Sequence, residues 1–219
     1  MRLGIRLLFA FFLINGIAAF FVLRVFTAEI KPSVREVMED MMVDTANLLA
    51  ELASDDLAAG RLAQGDTDSA FARHVRNYVR RPIDAGIWGF AKQSLDYRIY
   101  VTDATGRVLF DSQGQAVGQD FSQWRDVART LRGEYGARMT REVPSDDTSG
   151  VMHVAAPVLV QGRILGVLTV AKPVRTVQRF IDRAERKVLM GGLVLLLLSA
   201  AVGVAVTLWM VWNVRRLRD

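Results

Sequence analysis

The chain has no cysteine, only two histidines and only five prolines. Without cysteine there can be no disulfide, no thiolate metal centre and no nucleophilic thiol. His74 and His153 are too far apart for the paired-imidazole spacing of a zinc site, and neither a glycine-rich phosphate loop nor a Ser/His/Asp arrangement occurs. An enzyme reading has no residues to rest on, so no catalytic and no metal-ligating residue is expected. The middle of the chain also lacks an excess of either charge. The 28 Lys and Arg and 23 Asp and Glu give +5, yet residues 27–187 hold 22 of each. The surplus is Arg2, Arg6, Arg24, Arg215, Arg216 and Arg218, offset by Asp219. A fold that gripped a phosphate backbone would carry a cationic face of its own, which excludes nucleic acid as a partner.

What the chain has in quantity is apolar sequence: 51% of its residues are hydrophobic, and mean hydropathy is +0.21. The surplus sits at the two ends, where residues 7–23 and 188–214 carry no charge over 17 and 27 residues. A fully cytosolic protein and a polytopic transporter are both excluded. Basic residues flank the outer ends of the two runs, which predicts cytoplasmic termini and an extracytoplasmic middle. The expected layout is a cytoplasmic start (1–6), a first transmembrane helix (7–26), an outer domain (27–187), a second transmembrane helix (188–212) and the start of a signalling linker (213–219). Arg24 would snorkel toward the headgroups, and Trp209 and Trp212 would sit in an interfacial belt. Ala18 and Ala19 give the first run a superficial likeness to a cleaved leader, and a secreted enzyme is the rival this would create. Seventeen apolar residues exceed the usual leader core of about 7 to 15, so an uncleaved anchor is expected.

Within the outer domain, Val34, Met38, Met41, Thr45, Leu48 and Leu52 recur at spacings of 4, 3, 4, 3 and 4 in a helix expected over 34–57. So narrow a seam suits a partner helix, and it predicts a homodimer. Met38, Met41 and Met42 raise the idea of a soft metal, but methionines at helical spacing are packing residues. Residues 54–94 are broken by Gly60, Gly65, Asp66, Pro82, Gly86 and Gly89, with a short helix expected over 68–80. Arg73, Arg76, Arg80 and Arg81 lie on one flank of that helix, solvated or against anionic lipid headgroups. Strand signals occupy 96–173: a hairpin of 97–102 and 107–110, then 136–143, 151–160 and 163–171, the last two joined at Gln161 and Gly162. A helix is expected over 121–131, capped by Asp120 and ended by Gly133, and an exposed loop over 144–150. Val174, Val177, Ile181, Ala184 and Val188 then carry an exit helix (174–187) into the second apolar run. The fold class is α+β, a five-stranded antiparallel sheet with flanking helices between two transmembrane helices.

Residues 101–112, with Asp103 and Gly106 in the turn and Asp111 after the second strand, resemble the central hairpin of PAS-like (Cache-type) extracytoplasmic sensor domains. Three stretches resemble more narrowly the sensor region of CreC-type two-component histidine kinases: that hairpin, residues 117–121 with 131–138, and residues 155–157 with 166–173. Residues 1–23, 44–46 and 48–53 are also similar. The resemblance implies the sensory module of a bacterial inner-membrane kinase, homodimeric and two-pass, with a periplasmic domain that detects a small molecule or a protein stimulus. It implies a cytoplasmic response regulator as partner, and ATP and Mg only for a kinase domain absent from this chain. A chemoreceptor, a cyclic-dinucleotide enzyme carrying the same module, and a membrane-anchored binding protein without an output domain remain open.

Asp103 and Asp111 could in principle pair for acid/base work, but a turn opener and a strand end explain them better. The PAS-like resemblance puts a ligand over the concave face of the sheet. Arg138 and Arg141 are the candidate clamp for a carboxylate or phosphate, His153 an added donor or pH-responsive group, and Tyr100, Trp124 and Tyr135 the walls.

Overall fold

A computed structural model describes residues 2–25, 31–62, 69–87, 90–141, 143, 145 and 149–216. The sequence breaks at Gly65, Asp66 and Gly89, the first residue of the expected helix 68–80, residue 26 of the first run, most of the loop 144–150 and the last residues of the linker lie outside the described residues. The chain divides into two units, Met1–Arg35 with Arg179–Asp219, and Glu36–Gln178.

In the first unit, α1 (Arg2–Val25) and most of α5 (Arg175–Arg216) are apolar helices. Residues Ile181–Trp209 are long and apolar enough to cross a membrane, whereas Phe9–Val25 forms a shorter apolar helix. The Asn15 amide donates to the Phe11 carbonyl at 2.8 Å and the Thr207 hydroxyl to the Gly203 carbonyl at 2.7 Å, so these polar side chains are satisfied within their own helices.

The second unit contains most of α2 (Lys31–Ala58), whose buried residues Met38, Met42, Ala46, Ala50, Ala53 and Leu57 line one face. Three alanines in that row let the helix backbone lie close to the sheet, and fully buried Met42 contributes about 1.5–3 kcal/mol of apolar burial. Met38 belongs to this inner face, 6% exposed, while Met41, Leu48 and Leu52 stand more than half exposed and Thr45 is intermediate. The six-residue seam is thus split: Met38 packs on its own domain. Helix α3 (Ala70–Arg80) is capped by Ser69, whose hydroxyl accepts from the Ala72 N–H at 3.0 Å. Buried Asp56, near the end of α2, holds this cap, accepting from Ser69 Oγ at 2.6 Å, the Phe71 N–H at 2.8 Å and Arg61 at 2.6 Å. Burial opposes its charge, but these donors outweigh burial and keep its carboxyl below the ordinary range.

The stretch that the sequence breaks at Pro82 and Gly86 contains two short antiparallel strands, β1 (Ala85–Ile87) and β2 (Phe90–Lys92). Three-residue strands around glycine carry too little alternation to register as strands in sequence. The main sheet is formed by β3 (Arg98–Asp103), β4 (Val108–Asp111), β5 (Gly136–Arg141), β6 (Gly150–Val160) and β7 (Arg163–Pro173), wholly antiparallel, in the order β4-β3-β7-β6-β5. The expected five-stranded antiparallel sheet with flanking helices is therefore present. At the β6–β7 turn Gln161 and Gly162 both have positive φ, 50° and 75°, as a two-residue hairpin loop requires. One face of the sheet, with Ile99, Val101, Phe110, Val154, Leu168 and Val170, packs in a core with α2 and α3. The other carries Tyr100, Val108, Ala155 and Val167 in a smaller core with Phe121 and Val127. Helix α4 (Arg125–Leu131) covers that second face and is shorter than expected. Its N-cap is Trp124, because Asp120 caps an earlier turn instead, accepting from the Ser122 N–H at 2.8 Å. Gly133 follows with φ 77°, as the left-handed helix end requires.

Candidate functional site

The face beneath α4 gathers polar side chains at the centre of the sheet. Strand alternation turns Tyr100 of β3, Thr169 of β7, His153 of β6 and Arg138 of β5 the same way: Tyr100 pairs with Thr169 and Arg138 with His153. Above them α4 contributes Asp126, wholly buried, and Trp124 lies at its N-terminus. The two Asp126 carboxylate oxygens are taken separately. Arg138 Nε donates to Oδ1 at 2.7 Å, and the Tyr100 hydroxyl donates to Oδ2. The Arg138 guanidinium also lies 4.0 Å over the Trp124 ring, which stacks in turn on Phe121. A charge pair with both members desolvated is held by hydrogen bonds on both carboxylate oxygens and a ring beneath the cation.

His153 extends the network. Its Nδ1 is 3.3 Å from Arg138 Nη2 and its Nε2 is 3.0 Å from Thr140 Oγ1. A guanidinium only donates, so Nδ1 accepts and the ring proton lies on Nε2, where it is donated to Thr140. Burial, reinforced by the neighbouring Arg138 cation, lowers the His153 pKa to about 4. Burial first, and then the Asp126 carboxylate, push the Tyr100 hydroxyl well above its ordinary range, so it serves as a donor. Thr169 Oγ1 is buried with no hydrogen-bond partner of good geometry among the described residues.

Of the residues expected to form a ligand site, Tyr100, Trp124, Arg138 and His153 come together here. Arg141 and Tyr135 do not. Arg141 is three positions beyond Arg138, an odd step along an alternating strand, so the two arginines face opposite sides and cannot clamp one anion. Tyr135 is half exposed and its hydroxyl donates to Glu39 of α2. Arg138 itself is not open to an external anion, because Asp126 holds it. Asp126 is the residue that sequence reasoning missed. An acid in the first turn of a helix has a sufficient local explanation in the helix dipole, and nothing in the sequence distinguished this one.

Asp103 and Asp111 are structural. Asp103 Oδ1 accepts from the Thr105 and Arg107 N–H groups in the hairpin turn. Asp111 takes both arms of Arg98, at 3.0 and 2.8 Å, and the N–H groups of Gln113, Gln115 and Ala116. Burial works against its charge, but Arg98 and these N–H groups hold the carboxyl below its usual range.

No family model matches the chain. Over 217 residues, 99% of the chain, it is 45% identical to sensor protein CreC of Escherichia coli (strain K12), a match that takes up 45% of that protein. The resemblance to the sensor region of CreC-type kinases, drawn on the hairpin and the strands after it, is borne out. The chain spans just under half the length of this curated relative. Among solved structures, the sensor domain of the V. cholerae histidine kinase DctB is similar at a TM-score of 0.46 and 17% identity, covering 72% of this chain and 55% of that one. The E. coli DcuS sensor domain is similar at 0.43 and 19%, covering 67% and 98%.

Proposed function

We propose that the chain is the extracytoplasmic sensory module of a membrane-bound two-component histidine kinase, and that its stimulus is read at the Asp126–Arg138–His153 cluster. The observation that carries the kinase reading is the 45% identity to a sensor protein along 99% of the chain. A neutral outer domain between two apolar helices fits it, with both helices in the bacterial inner membrane, both termini cytoplasmic, the sheet domain periplasmic and the basic ends against lipid. ATP and Mg then belong to a kinase domain outside this chain, and the cytoplasmic partner is a response regulator.

The cluster suits a switch because the Arg138–Asp126 ion pair ties α4 to β5, which lies at the edge of the sheet. A small molecule or a partner that competes for Arg138 or for Asp126 would loosen α4 without unfolding the sheet. Two arrangements of one element, biased by what binds there, are sufficient for signalling. Met41, Thr45, Leu48 and Leu52 on the outer face of α2 are the surface for a second copy, so the transition would be felt in a dimer. The test is phosphate transfer by the full gene product in membranes. Asp126→Asn should change the basal rate of autophosphorylation, whereas the exposed Gln123→Ala should not. The kinase reading is lost if the full gene product, given ATP and Mg, never labels itself.

A further inference from the structure

On the opposite face of the sheet from the polar cluster, a cleft of about 640 Å³ opens between α2 and α3. Its walls are Leu49 and Leu52 from α2, Phe71, Val75 and Tyr78 from α3, and Tyr97 just before β3. The volume falls within the range of small-molecule sites, and the walls are apolar and aromatic with a few polar groups at one end. Phe71 and Val75 belong to the domain core, so the inner part of the cleft is set by packing. Burial first, then the neighbouring Tyr97 and Asp96, push the Tyr78 hydroxyl up to about 12, so it presents a donor at neutral pH.

The polar end decides the charge of the occupant. Asp56 and Arg61 both line it, but they are paired with each other at 2.6 Å, and Asp56 also accepts from Ser69 and the Phe71 N–H. Those two charges cancel. Asp55 also lines this end and is exposed; its carbonyl accepts from Arg61 at 3.3 Å, while its carboxylate has no cation among the described residues. His74 adds an imidazole on the α3 side. Among the described residues, the cleft therefore combines an aromatic-lined interior with one net negative charge at its mouth.

We infer that this cleft binds a small aromatic amine, its ring between Phe71, Tyr78 and Tyr97 and its ammonium group at Asp55. Ring contacts with the aromatic walls select the body of the ligand and the carboxylate selects its head. Thr45 and Leu52 line the cleft and also stand on the outer stripe of α2, so an occupant bears on the same helix turns that a second copy would touch. The site is separate from the α4 face and does not depend on how that face works.

The test uses the full chain in lipid nanodiscs at pH 8 and three probes of one size: phenethylamine, 2-phenylethanol and phenylacetate. Methyl NMR should show phenethylamine shifting the resonances of Leu49, Leu52 and Val75, with 2-phenylethanol weaker and phenylacetate weakest. Asp55→Asn should weaken phenethylamine about fivefold, the upper end for a partly exposed ion pair, and leave 2-phenylethanol unchanged. Leu49→Trp, at a half-buried position, should fill the cleft and abolish binding of all three. The inference fails if phenylacetate binds as well as phenethylamine, if Asp55→Asn leaves the affinity for phenethylamine unchanged, or if none of the three moves these methyl groups.

Discussion

The hydroxyl of Tyr135, immediately before β5, donates a hydrogen bond to the carboxylate of Glu39 on α2, across 96 residues of sequence. Tyr135 precedes Arg138 by three residues and follows Asp126 by nine, so the bond joins the edge of the polar cluster to the helix that carries the exposed stripe. Burial and the Glu39 carboxylate both raise the Tyr135 pKa, which keeps the donor protonated. Tyr135→Phe should leave global stability within about 1 kcal/mol, as expected for one half-exposed hydrogen bond. It should nonetheless speed amide exchange in the first turns of α2, measured by hydrogen–deuterium exchange. Unchanged exchange there would mean that the bond couples nothing.

The Arg138–Asp126 pair should behave as a unit. Arg138→Met leaves a buried carboxylate without its cation and should cost about 3–5 kcal/mol of stability. Asp126→Asn with Arg138→Met should cost clearly less than the two single changes added together, a coupling that urea unfolding of all four forms can measure. Additive losses would show that the two side chains do not sense each other.

Stability should depend on pH through His153. Its pKa is about 4 in the fold against an ordinary 6.5, so between these values the unfolded chain binds the proton and the folded chain does not. Stability is therefore full above pH 6.5 and falls as pH drops toward 4, by roughly 3 kcal/mol in all. Asp56 and Asp111, with lowered pKa values, add losses only below the ordinary carboxylate value of 3.8. His153→Gln should flatten the slope between pH 6.5 and 4, followed by chemical unfolding at a series of pH values, and leave the more acidic losses in place.

Gly166 of β7 has no room for a side chain, since a methyl group there would overlap the carbonyl oxygen of Thr102 on the neighbouring strand. Gly166→Ala should cost about 1–3 kcal/mol, the usual penalty for overpacking. Gly86, where a methyl group meets nothing within 4 Å among the described residues, should accept alanine with little change. Thermal melts of the two variants side by side distinguish a steric requirement from a general intolerance of alanine.

Because the chain has no cysteine of its own, single cysteines can report the α2 stripe directly. Leu48→Cys and Leu52→Cys should form intermolecular disulfides in membranes, whereas Ala46→Cys, on the buried face, should not. Crosslinks from position 46 and none from 48 or 52 would remove the outer stripe as the dimer surface.

The strands were legible because Tyr97 to Phe110 and the pair ending at Gln161 and Gly162 combine β-formers with turn residues whose backbone demands are strict. The α2 seam was legible as a periodicity but not as a surface. Met38 and Met41 differ by three residues, and only the position of the sheet decides that one packs inward and the other outward. The α4 face was half legible: Arg138, His153, Tyr100 and Trp124 could be named from what the PAS-like resemblance implies about the concave face of the sheet. Asp126 could not, because its role depends on α4 lying across β5, a long-range relation with no local signature. The same limit misled the pairing of Arg138 with Arg141, which requires an even step along the strand.

Strand β7 ends at Pro173 and α5 begins at Arg175, with Val174 alone between them, its N–H bonded to the Gly150 carbonyl. Strand and helix are thus joined through a single residue, with no flexible spacer between them. Each residue inserted at this junction would turn the downstream helix by about 100°, and seven would return it nearly to its starting angle. Any chimera that grafts this sheet onto another helix would meet the same one-residue junction, so the number of residues at that point has to be kept along with every residue of the sheet.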